Sequence, residues 1–431
     1  MLTKMPARAP HSDRIAWFVL ALVALANFGN FYVYDSIGPV ADLLQRQRGF
    51  SDTEIGWLNA IYSLPNVVLL LVGGWMVDRF GAGRMMAITA ALCFAGALVT
   101  AFGTGFPGMA AGRLLFGIGA ETFNVATLAA IVRFFSGRHL ALAIGASLAL
   151  GRAGAFAVDL SPTWAATAYA GGWQPPLLLA ATLAGLSLAV SLVYLWIEHR
   201  QPVHAGHDAA VGPALTWRGI FRPGSQYWLL FALCVLWYAV IFAFRSTFSI
   251  KYFQHVHGLE LAAAGTINGV VYLAALFATP FFGWLTDRFA RPAPLLALGA
   301  FLLPAAIATM SVAAMPLWIG TVLIGVSYSL VPAVLWPLAS RLVPPNRIGS
   351  ALALLSVGLN LGIAGANLAA GALNDHFGAG AANPGGYGAM MGFFFACGAL
   401  GFGFALLLWR RTKGTHPFTW KRRDTDLPVS K

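Results

Sequence analysis

The chain has 431 residues, 58% hydrophobic and only 10% charged, where a soluble domain carries about 25% charged residues; a water-soluble globular fold is excluded. The formal charge of +12 follows the loops between apolar runs and builds no basic face for a nucleic-acid partner. Cys93, Cys234 and Cys397 all fall inside apolar runs, and His199, His204 and His207 share a polar loop without cysteine or acidic partners, so neither a disulfide framework nor a metal centre is expected.

Runs long enough to cross a hydrocarbon core of about 30 Å recur twelve times, at roughly 15–40, 55–77, 86–106, 107–132, 139–165, 173–196, 227–250, 262–286, 293–313, 315–340, 348–373 and 387–409. Backbone polar groups in lipid must be satisfied within the segment, so each run is predicted to be a helix. The short basic start MLTKMPARAPHSDR carries no convincing cleavage site, and the first span is read as retained. With the N-terminus placed in the cytoplasm, 21 of the 27 Lys and Arg fall on cytoplasmic segments. The others are Arg46, Arg48 and Lys251 outside, and Arg113, Arg152 and Arg245 within spans. This positive-inside bias puts both termini in the cytoplasm and lays the basic stretch WRRTKGTHPFTWKRR against anionic headgroups. No Asn-x-Ser/Thr acceptor occurs, so N-glycosylation is not expected.

The longest polar stretch between spans divides the chain into an N-terminal six-helix bundle (1–196), a cytoplasmic linker (197–225) and a C-terminal six-helix bundle with a basic tail (226–431). The halves echo each other: Asp78 and Asp287 stand 209 residues apart, as do Gly74 and Gly283, Asn59 and Asn268, and Arg138 and Arg347. Duplicated six-helix units build transporters whose substrate site lies near the midplane between the halves.

The block GGWMVDRFG resembles the signature loop of the major facilitator superfamily between helices two and three, and RLLFGIGAE, from Arg113, resembles its helix-four motif. The resemblance implies an all-α membrane protein with twelve transmembrane helices in two pseudo-symmetric six-helix bundles. It also implies gating contacts for Asp78, Arg79, Arg84, Asp287, Arg288 and Arg113, although Ala82 stands where a basic residue is common. A narrower likeness runs through YSLPNVVLLLVGGWMVDR, GRLLFGIGAET, GRAGA, INGVVYLAALFATPFFGWLTDR and GVSYSLVPAVLWPLASRLVP, which resemble the lysosomal dipeptide transporter branch in the same order. In that branch an acid and an arginine at the positions of Glu121 and Arg152 hold the peptide's termini. The acidic dileucine sorting signal is missing here, and the Ala-rich composition points to a bacterial inner membrane.

The residues carry an argument of their own. Glu121 lies 12 residues before Arg133 and Arg152 lies 14 beyond Arg138, which puts both at about 18–21 Å from the same membrane face. Two charges at one depth on neighbouring helices point to pairing or to a shared ligand. Glu121 can accept from an ammonium, and the fork of Arg152 can grip a carboxylate. A permanent ion pair between the helices, or a proton-carrying Glu121, are the other readings. Arg245, about 28 Å along its span, can hold an anionic substrate or reach the outer interface. Asp35 and Asp159 are weaker candidates. Tyr62, Tyr238, Asn268, Tyr272, Trp336 and Asn360 are candidate pocket walls, because intramembrane polar groups tend to face the bundle interior. Asp78 and Asp287 can cap the starts of neighbouring helices near Arg347 and Arg138.

The expected protein is a monomeric secondary or facilitative transporter of a small zwitterion, most simply a dipeptide, working by alternating access. A proton-coupled carrier of an organic anion or amino acid is the nearest alternative, and a transport-dead sensor or scaffold is the alternative of another class. No cofactor, no nucleic-acid partner and no enzyme chemistry are expected, since neither a phosphate loop nor a nucleophile–base pair occurs.

Overall fold

The computed structural model describes residues 13–135, 137–200, 224–288, 292–312, 314–344 and 347–412. Twelve long helical rods follow one another: α1 (Asp13–Asp35, continued beyond Ser36 by Ile37–Arg48), α2 (Asp52–Phe80), α3 (Ala82–Phe102), α4 (Phe106–Phe134), α5 (Gly137–Asp159) and α6 (Gln174–Arg200), then α7 (Ser225–Ala243, continued to His257), α8 (Leu261–Arg288), α9 (Pro292–Met310), α10 (Leu317–Arg341), α11 (Ile348–His376) and α12 (Gly388–Thr412). Eleven helices among the described residues are long and apolar enough to cross a membrane. The remaining rod, α2, runs 29 residues, about 44 Å at 1.5 Å per residue. The protein is therefore an all-α, multi-span membrane protein, and the expected twelve spans stand as eleven that pass on length and apolarity.

Buried apolar side chains gather by halves. One cluster is drawn from Tyr227 to Leu408, and three smaller ones from Ala16 to Ile197. Large apolar residues that remain exposed, such as Trp75, Leu142, Phe277, Trp284 and Leu400, sit on long helices where lipid, not water, covers them. Across the halves, α2 packs along α11 and α5 along α8.

Three spans differ from their expected limits. The first continues to Arg48 and the seventh to His257, because polar residues past the apolar run find partners in the other half (below). The fifth ends at Asp159, where the Ser161 hydroxyl donates to the Val158 carbonyl (2.6 Å) and Pro162 begins a separate short helix, Ser161–Trp164. Two ends of the molecule are distinguished here. The terminal side holds Asp13 and Thr412; the far side holds the turns around 49–51, 160–173, 258–260 and 377–387. Of the expected linker, 201–223 lies outside the described residues, as do the side chains of Arg138, Asp287 and Arg288.

Candidate substrate site

The two charges expected at mid-depth, Glu121 on α4 and Arg152 on α5, do not pair with each other. Asn66 on α2 donates from Nδ2 to Glu121 Oε1 (3.0 Å) and to Asn360 Oδ1 on α11 (3.2 Å). Arg152 donates to the Thr279 hydroxyl on α8 (2.7 Å) and lies 5.1 Å over the Tyr328 ring. Each charge therefore rests on neutral groups, some supplied by the opposite half. The permanent Glu121–Arg152 ion pair is not the arrangement found; no such bridge occurs among the described residues.

Aromatic rings join the two charges. Tyr34 meets Tyr62 edge-on at 4.7 Å and Phe242 at 6.1 Å. Phe242 in turn meets Tyr328 at 6.1 Å and stacks on Tyr238 at 5.9 Å. Trp336 donates from its indole to the Tyr238 hydroxyl (3.1 Å). An anionic acceptor, Glu121, and a cationic donor, Arg152, thus stand at the ends of one aromatic wall. Of the candidate pocket walls, Tyr62, Tyr238, Trp336 and Asn360 fall in this region. Asn66, Thr279, Tyr34, Phe242 and Tyr328 were missed. Asn66 was findable, since it stands one turn beyond Tyr62 on the same helix; the others look like ordinary packing residues until the halves are assembled.

Arg245, Asn268 and Tyr272 lie beside this wall, where the Tyr272 ring meets Tyr328 at 5.9 Å. They form a far-side closure between the halves. Arg245 does not reach an interface: it is 3% exposed, its guanidinium pairs with both Asp35 on α1 and Asp159 on α5, and it borders the same small cavity as Phe242 and Tyr328. Asn268 donates to Asp159 Oδ1 (3.0 Å), and the Tyr272 hydroxyl donates to Asp35 Oδ2 (3.2 Å). A five-residue π-helical turn, Phe244–Phe248, presents Arg245 to this cluster; such turns recur at functional sites. Further along α7, Lys251 pairs with Asp52, and His255 Nε2 bonds Asp42 Oδ1 (2.8 Å). Asp375, at the end of α11, accepts from the amides of Asp52 and Thr53 (both 2.8 Å). It caps the start of α2 together with that helix's own Ser51–Glu54 capping box.

Arg113 has a third role. Its guanidinium donates to the carbonyls of Leu58, Val33 and Tyr34 and to Asn59 Oδ1 (2.6–3.1 Å). It straps α1, α2 and α4 together inside one half. On the terminal side Asp78, Arg79 and Arg84 are exposed, and Arg79 lies 5.5 Å over the Trp75 ring.

Twelve antiparallel rods, paired α2 with α11 and α5 with α8 and closed between the halves at one end, define a carrier with a central site. The chain matches the family described as the Major Facilitator Superfamily over residues 23–367 and 252–431, and it belongs to that family. It is a secondary transporter of small solutes and not an enzyme. Among relatives, it is 29% identical to the lysosomal dipeptide transporter MFSD1 of Bos taurus over 395 residues, covering 89% of this chain and 82% of that one. It is 28% identical to the protein of the same name from Danio rerio over 371 residues, covering 83% and 80%. In fold it matches the crystal structure of a bacterial homolog of the human lysosomal transporter Spinster, inward-facing and unoccupied. That match has a TM-score of 0.74 at 16% identity and covers 93% of this chain and 98% of the other.

Proposed function

We propose that this carrier moves a small zwitterion, with a dipeptide as cargo, by alternating access of two six-helix halves about the mid-depth site. In this reading Glu121 takes the ammonium and Arg152 the carboxylate. Tyr62, Tyr238, Tyr328 and Trp336 line the space for the side chains, with Asn66 and Asn360 toward the peptide group. The single observation that carries the reading is that Glu121 and Arg152 stand at the two ends of one run of aromatic rings, each held by neutral partners and neither spent on the other. A ligand with both charges completes both ends, and charge-assisted hydrogen bonds are about twice as strong as neutral ones. The likeness to transporters named for dipeptides supports the same choice. The distribution of Lys and Arg supports a cytoplasmic terminal side and an outer far side, and the Ala-rich composition supports a bacterial inner membrane. Asp78 and Asp287 then serve as terminal-side latches onto α11 and α5, made when the far side is open.

Glu121→Gln and Arg152→Ala should each abolish dipeptide binding, at least a hundredfold in Kd, by loss of about 3 kcal/mol from a buried charge contact, while thermal unfolding stays cooperative. A dipeptide with an acetylated amine should bind the native protein as weakly as a free dipeptide binds Glu121→Gln. Equal affinity for blocked and free dipeptides removes the ammonium role of Glu121.

A further inference from the structure

The far-side closure is short of positive charge. Four aspartates of the first half, Asp35, Asp42, Asp52 and Asp159, are all 5% exposed or less. The outer part of α7 meets them with two permanent cations, Arg245 and Lys251, and one histidine, His255. Arg46 reaches Asp42 from the exposed rim (3.0 Å), and Arg113 nearby is committed to carbonyls and an amide. Asp35 Oδ1 and Asp52 Oδ2 remain buried without a donor. Burying unbalanced charge is costly, so closure of this side gains from any added positive charge.

His255 is the rung that can supply it. Histidine is the side chain whose charge changes between pH 5 and 8. The site suits both of its forms. Nε2 meets Asp42 at 2.8 Å and Nδ1 meets the Tyr387 hydroxyl at 2.8 Å. The hydroxyl can donate to a neutral ring or accept from a charged one. The other ionisable groups around the ring are Lys251 with Asp52 one turn earlier on α7, Arg46 behind Asp42, Asp375 beside Asp52, and Tyr252 and His257 on the same helix. The carboxylate touching the ring belongs to the other half, so the charged ring has this partner only when the far side is closed. We infer that His255 and Asp42 form a proton-binding site in the outer gate, so that closing the far side takes up a proton from the outer phase and acid outside favours the closed state.

The proton acts here as a ligand of the gate and is not cargo. The site lies at the far end, beyond the Arg245 cluster from the mid-depth charges, and it is sealed while the carrier opens to the terminal side. What enters from outside on closing returns outside on reopening. For one proton the ratio of closed to open can change at most about tenfold per pH unit. Exchanging a neutral for a charge-assisted bond sets the total change on the order of tenfold.

The test reads conformation, so it stands apart from the identity of the cargo. Thr163 and Ala382 are exposed on the far side of the two halves. Spin labels at Thr163→Cys and Ala382→Cys, with the three native cysteines replaced by alanine, report far-side separation in nanodiscs from pH 8 to pH 5. The short-distance population should rise several-fold on acidification. His255→Gln, which keeps a donor for Asp42 and cannot take up the proton, should flatten that response and leave the pH 8 distribution unchanged. His257→Gln, whose ring faces the Met310 carbonyl (3.0 Å), should keep the response. An absent response in the parent protein, an equal response in His255→Gln, or its loss in His257→Gln overturns the proposal. A pH gradient that drives solute accumulation in proteoliposomes, and ceases to do so in His255→Gln, overturns the claim that the proton is not carried.

Discussion

Arg245 binds two carboxylates with one charge, and that inequality decides what its substitutions should do. Removing the arginine leaves Asp35 and Asp159 buried and unpaired. Breaking a buried pair in this way costs about 3–5 kcal/mol. Removing one aspartate leaves a matched pair and relieves the excess negative charge. Arg245→Met should therefore open the far side or lower thermal stability sharply, whereas Asp159→Asn should be mild in both respects. Far-side distance measurements and unfolding temperatures in detergent check the ranking, and equal damage from the two variants refutes it. Glu121 and Arg152 obey the opposite logic. Each is seated on neutral hydrogen-bond partners, so neither leaves a stranded countercharge when substituted. Their loss should show in binding more than in folding.

Helices α2 and α11, and α5 and α8, meet across the halves at backbone contact. A Cβ on Gly371 would stand 2.4 Å from the Asp52 carbonyl oxygen, and one on Gly265 would stand 2.2 Å from that of Asp159. Neither backbone atom can yield without moving its helix. Gly371→Ala and Gly265→Ala should consequently hold the far side ajar, with a longer far-side distance and slower transport. Gly283→Ala has nothing within 4 Å and should leave the far-side distance unchanged. A normal far-side distance in both Gly371→Ala and Gly265→Ala would mean that the rods close elsewhere. The Asp375 cap belongs to the same interface. It links a carboxylate of α11 to the positive end of α2, a contact of roughly 0.3–1 kcal/mol. That is small enough to break in each transport cycle.

For the whole molecule, charge balance at mid-depth bears on the driving force. With both ionised, Glu121 and Arg152 sum to zero in the empty site, and a zwitterion leaves the sum unchanged. Neither form requires a proton to cross, so we expect facilitated transport. A neutral zwitterionic dipeptide should equilibrate across proteoliposomes and exchange in counterflow. It should not accumulate above equilibrium under an imposed pH gradient at fixed internal pH. Gradient-driven accumulation rejects uniport, and its persistence in His255→Gln makes Glu121 the proton carrier. External acid should still alter the rate through the His255 gate. Rate and accumulation therefore separate a proton that regulates from one that drives.

The apolar spans, eleven of the expected twelve by length and apolarity, and the Asn59–Asn268 echo were legible in the chain, because each follows from local physics: apolar run length and repeat spacing. Lipid makes that reading unusually direct, since it forces each segment to satisfy its own backbone. The partners of the charges were not legible. Arg245 could be read as a ligand for cargo or as reaching the outer interface, and the structure pairs it with Asp35 and Asp159, 210 and 86 residues away in sequence. Lys251 was read as lying outside the seventh span and His255 was not singled out, yet they extend α7 to meet Asp52 and Asp42. Helix depth can be counted along one chain segment. Which charges share a level and also share a face depends on how the halves dock, and only the assembled rods determine that.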